Sequence, residues 1–118
     1  MPDDQHTQGR AHYAIIEWEF LMHDSRFKGL DYALRLAYLM LWCYCPEVRR
    51  DWFHPRVGVL RLVGELTRIE LGVMERMKAE CLVSGLLVSG PGGVLVVPGV
   101  RDRHSKLRGW CAPLGGGA

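Results

Sequence analysis

The chain has 118 residues, 48% hydrophobic and 24% charged, with 15 Lys and Arg against 13 Asp and Glu. That length and composition fit one domain with one apolar core and argue against a disordered chain. A formal net charge of +2 is too small to hold a polyanion by bulk attraction, so any nucleic-acid surface has to arise from local clustering.

Residues 1–10 are polar and mixed and read as a loose arm. Over 11–22, Trp18 and Phe20 alternate with Glu17 and Glu19, whereas Ile15 and Ile16 break the alternation. Helix and strand both fit there, and helix is the reading taken. Residues 23–28 read as a connection. The strongest helix spans 29–45, where Leu30, Leu34, Ala37 and Leu41 recur at helical spacing and other apolar residues fill most of the circumference. Such a helix is expected to be wrapped by other elements, with Pro46 as its stop. Residues 47–56 read as a charged loop.

Val57, Val59 and Leu60 suggest a short strand running into a short helix over 60–66. Thr67 and Glu70 stand at the spacing of a capping box and predict a new helix running to Ser84, with Gly85 as its left-handed stop. Apolar runs at 86–88 and 94–97 flank Gly90-Pro91-Gly92-Gly93, a turn, and predict a hairpin. Residues 101–110 form a basic tail, and 114–118 a small-residue end. The expected organisation is an arm at 1–10, a domain at 11–100 and a basic tail at 101–118.

This order is that of an α+β, mainly helical domain: a winged helix-turn-helix with a C-terminal β-hairpin wing. Residues 77–97, with Gly85-Leu86-Leu87 after the long helix and a glycine turn between apolar strands, resemble the helix-and-wing half of winged-helix domains. Phe27-Lys28-Gly29-Leu30, the helix to Cys45, Leu66 and Gly85-Leu86-Leu87 resemble the N-terminal domain of phage replisome-organiser and DnaD-like replication proteins. The resemblance covers roughly residues 13–97. It departs in a stretch from Glu65 to Gly85 about one turn shorter than usual, and in Lys78 where a Leu is expected. No second domain is expected after the hairpin. The resemblance implies binding to double-stranded DNA in replication initiation or transcription control. It also implies a homodimer on paired half-sites.

On a helix over 68–84, Ile69, Val73, Met74, Met77 and Cys81 share one face. Arg68, Gly72, Glu75 and Ala79 lie opposite, with Arg76 on the flank. That face is the candidate DNA-reading surface: the arginines reach phosphates or guanine edges, and Gly72 and Ala79 let the axis come close. Its cations Arg68, Arg76 and Lys78 are cancelled by Glu70, Glu75 and Glu80, and the turn at 89–93 has no cation. Arg101, Arg103, Lys106 and Arg108, against Asp102 alone, are the second candidate DNA contact. Arg49, Arg50 and Arg56 form a weaker cluster, partly offset by Glu47 and Asp51.

No catalytic residues, cofactor or metal are expected. Cys43 and Cys45 have no matching pair at zinc-ligand spacing, and Cys81, Cys111 and the five histidines are scattered. The polar first residues predict no secretory signal, and no run predicts a membrane span, so a reduced, cytoplasmic chain is expected. The competing reading is a protein-interaction module that keeps the fold without binding DNA. The neutral helix, the uncharged turn and the aromatics Trp18, Trp52, Phe53 and Trp110 favour it.

Overall fold

The structure is a computed structural model that describes residues 13–113. The expected arm at 1–10 and small-residue end at 114–118 lie outside the described residues. The fold is α+β and mainly helical, with a small antiparallel sheet.

Residues 13–17 are extended and lead into α1 (Trp18–His23). The helix expected over 11–22 starts late because the backbone of Ile15 has distant partners. Its N–H donates to His104 Nε2 (2.7 Å), and its carbonyl accepts from Trp42 Nε1 (2.9 Å). The stretch 23–28, read as a connection, holds a short helix, α2 (Ser25–Lys28). Asp24 nucleates it by accepting from the backbone N–H of Arg26 and Phe27 while pairing with the Arg26 guanidinium. The turn delivers Phe27 to the core.

The central helix α3 (Tyr32–Val48) starts later than expected, at the Asp31 cap, and runs past Pro46 instead of stopping there. Proline removes the rung to the carbonyl four residues back, which costs least in a last turn about to end. Arg49 then closes the helix in the left-handed region (φ 57°). Leu34, Ala37, Tyr38, Leu41 and Cys45 form the buried spine. Leu39, Met40, Trp42 and Tyr44 are half-buried around the spine, so the helix is wrapped beyond its first turns, where Tyr32 and Leu36 are exposed.

The first strand, β1 (Trp52–Phe53), falls inside the stretch read as a charged loop. The strand expected at Val57–Leu60 is replaced by a 3-10 turn, Pro55–Val57, and helix α4 (Val59–Thr67). A two-residue strand has no periodicity to read, and β1 exists only through its distant pairing with β3 (Leu95–Val96). Helix α5 (Leu71–Ser84) packs against α3 and α4. It ends, as expected, at Gly85 (φ 88°). β2 (Val88–Ser89) and β3 form the expected antiparallel hairpin, in strands shorter than predicted, and the sheet order is β1-β3-β2.

The capping box at Thr67 does not form. Thr67 is the last residue of α4, and its hydroxyl donates to the Val63 carbonyl (2.6 Å). Arg68 turns left-handed (φ 63°), and the N–H groups of Arg68 and Ile69 both reach the Gly64 carbonyl. This closure, of the type that satisfies orphan carbonyls at helix ends, consumes the residues that a cap at Thr67 needs. Glu70 becomes the N-cap of α5 without a side-chain bond.

Residues 100–111 are not a free tail. They begin as α6 (Val100–Arg103) and fold back on the domain, with Val100 and His104 buried. Trp110 Nε1 donates to the His104 carbonyl, Arg49 Nε to the Arg108 carbonyl, and the Cys111 N–H to the Arg49 carbonyl. Among the described residues, no helix is long and apolar enough to cross a membrane.

Candidate nucleic-acid interface

Helix α5 buries Met74, Met77 and Cys81 against α3 and α4, which fixes its rotation. Gly72, Glu75, Arg76 and Ala79 consequently face solvent, so the structure brings these four sequence-selected residues together on one exposed surface. Val83 continues that surface and is 90% exposed. Arg68 is not on the helix: it sits on the preceding turn, exposed and left-handed. Arg76 is exposed but pairs with Asp31 at the start of α3 (3.1 Å). An exposed pair of this kind is worth little and is readily exchanged for a phosphate.

The other four selected residues lie elsewhere. Arg101 is held by Asp51 (2.8 Å and 3.3 Å) and stacks over the Trp110 ring (5.2 Å). Arg103 pairs with Glu17. Lys106 and Arg108 are exposed. The ties holding residues 100–111 run to Ile15, Glu17, Arg49, Arg50 and Asp51, none of which belongs to α5. The two candidate contacts, the α5 face and the basic segment, therefore lie on separate parts of the domain. Two of the four tail cations fix α6 to the domain.

Sequence reasoning missed the meeting of Arg61 with Lys78. A cleft of about 210 Å³ lies between the α5 flank, the start of α4 and the hairpin, and His54, Arg61, Glu75, Lys78 and Gly93 are among its lining residues. Arg56, on the 3-10 turn that also contributes Pro55 to the lining, is exposed. Arg61 is exposed and Lys78 half-buried. Two cations, Arg61 and Lys78, thus line the cleft, with Glu75 the acid beside them. Lys78 carried a signal in the sequence, as the cation at a position where the resemblance expects leucine. Arg61 carried none, because its proximity to Lys78 comes from the packing of two helices.

No group of three or more potential metal-binding side chains comes together among the described residues. All four cysteines are free thiols. Burial pushes the thiols of Cys43, Cys45 and Cys81 up, away from the nucleophilic thiolate. A scan of protein-family models found no match, and searches of curated proteins and of solved structures found none.

Proposed function

We propose that the chain is a winged-helix DNA-binding module. The element order supports the fold: a long helix, a strand, two helices joined by a tight turn and a hairpin, with sheet order β1-β3-β2. The observation that carries the function is the meeting of Arg61 and Lys78 in the cleft between α4, α5 and the hairpin, with Arg56 exposed on the turn before α4. In this reading α5 lies in a major groove. Gly72 and Ala79 permit close approach, Glu75 and Arg76 face base edges, and the three cations hold the flanking phosphates. Lys106 and Arg108 add a weaker contact. The sequence resemblance over 13–97 points to replication initiation or transcription control, on paired half-sites if the chain dimerises.

The test is duplex binding measured as a function of salt. Each phosphate contact removed lowers the slope of log K against log salt by about 0.9. Replacing Arg56, Arg61 and Lys78 together by Ala is expected to remove about two to three units of slope, on the same relation. Replacing Lys106 and Arg108 is expected to remove less. Absence of duplex binding at low salt overturns the reading.

One observation favours a protein partner instead. The charges within α5 cancel, and Val83 and Tyr32 stand 90% and 82% exposed. A complex recovered from the native host that survives nuclease treatment, together with no duplex binding, selects that alternative.

A further inference from the structure

The extended segment 13–17 is attached to the domain by three polar ties. The Ile15 N–H donates to His104 Nε2 (2.7 Å), Trp42 Nε1 donates to the Ile15 carbonyl (2.9 Å), and Glu17 pairs with Arg103. Tyr13 and Ile15 of the segment are exposed, and Ala14 and Ile16 are half-buried.

His104 is 2% exposed, and both its ring nitrogens are committed. A backbone N–H has only a proton to give, so Nε2 must present its lone pair to Ile15. Nδ1 then carries the ring proton and donates to the Val100 carbonyl (2.7 Å). The neutral imidazole satisfies both partners. An imidazolium puts a second N–H against the Ile15 N–H, and the bond between them is lost.

The surroundings do not compensate a charge on that ring. Trp42 and Trp110 flank it, at centroid separations of 6.4 Å and 6.5 Å, and bring no charge. The carboxylates presented by the adjoining segments, Glu17 and Asp51, are held by Arg103 and Arg101. Arg49, at the end of α3, donates to the Arg108 carbonyl, and Asp102, Lys106 and Arg108 point into solvent as exposed residues.

The same segment walls a second cleft, of about 240 Å³. Ile16, Glu17 and Phe20 form one side, and Tyr38, Trp42 and Arg26 are among those facing them. We propose that His104 is a proton-operated clasp. Uptake of one solvent proton at Nε2 breaks the bond to Ile15, frees the 13–17 strap and opens this aromatic-lined cleft. The proposal concerns the face built by α3, α6 and the strap, and stands whether or not the chain binds DNA.

The test follows three signals together as pH is lowered from neutral over the range in which the domain stays folded. They are the His104 ring-carbon shifts, hydrogen exchange at the Ile15 amide and hydrogen exchange in α5. Ile15 protection, corrected for intrinsic exchange, is expected to fall about tenfold or more in step with His104 titration, the scale of one buried hydrogen bond. Protection in α5 is expected to stay. In His104→Gln, whose amide oxygen accepts but does not titrate, Ile15 protection is expected to be independent of pH. Three outcomes overturn the proposal: Ile15 staying protected while His104 titrates, His104 failing to titrate in the folded chain, or α5 opening together with Ile15. The wild-type measurement decides by itself if the variant does not fold.

Discussion

A Cβ on Gly64 would stand 2.7 Å from the Ile69 carbonyl oxygen, a backbone atom that has no freedom to move aside. The turn joining α4 to α5 closes onto this residue, so Gly64→Ala is expected to destabilise the chain by about 1–3 kcal/mol, the scale of local overpacking. A urea unfolding curve reads the shift. Arg68, four residues on, pays the opposite penalty: it is held at φ 63° with its side chain exposed. The left-handed conformation costs a non-glycine residue about 1–2 kcal/mol, and glycine returns part of that as unfolded-state entropy. Arg68→Gly is therefore expected to stabilise by less than about 1 kcal/mol, and a loss of stability in the same titration contradicts it. Desolvation raises the Cys81 thiol to about 12, and Cys45 is pushed up further in the α3 spine. Thiol reagents near neutral pH are expected to leave both intact until the chain is denatured, which peptide mapping of the labelled protein checks. The sequence showed Cys81 as an apolar-face residue. It could not show Gly64 as a contact point, because the atom that excludes a side chain comes from the next turn.

At the scale of elements, Asp24 both ends α1 and starts α2. The Arg26 guanidinium, helped by two backbone N–H groups, holds its carboxyl below the usual carboxylate range against the opposing effect of burial. A carboxyl depressed in the folded state adds stability that is present above its unfolded value and lost as pH falls through the folded one. Asp24→Asn is therefore expected to flatten the acid limb of the stability curve below about pH 4, where the unfolded carboxyl titrates. Unchanged acid limbs in the two proteins refute the assignment. Asp24→Ala at neutral pH is expected to cost about 1 kcal/mol, as loss of an N-cap does. Thr67 marks the limit of such local reading. Its spacing to Glu70 matches a capping box, yet the closure of α4 on the Gly64 carbonyl takes those residues first. Local signals name what each end can do, and packing selects among them. The hairpin was legible because glycines at positive φ and the flanking apolar runs agree. β1 was not, because its only justification is the register with β3, some forty residues away.

Across the whole molecule, the main consequence is a redistribution of charge. Arg101 and Arg103 look like half of a basic tail, yet they bind Asp51 and Glu17 and lock α6 onto the domain. Asp51→Ala frees Arg101 and removes one such tie. It is expected to raise hydrogen exchange across 100–111 while leaving α5 protected, and unchanged exchange there dissociates the ion pair from the docking of α6. Arg61 and Lys78, separated in the chain, meet instead in the cleft beside α5.

The amino-acid sequence by itself determined the helical spine of α3, the buried face of α5, its stop at Gly85 and the hairpin that follows. Each rests on periodicity or on a residue whose backbone freedom is intrinsic. Only the tertiary structure decided which cations remain available, because an arginine's role depends on whether a distant carboxylate comes within reach. It likewise decided that His104 is a buried, doubly bonded imidazole, since its partners include the backbone of Ile15, 89 residues earlier in the chain.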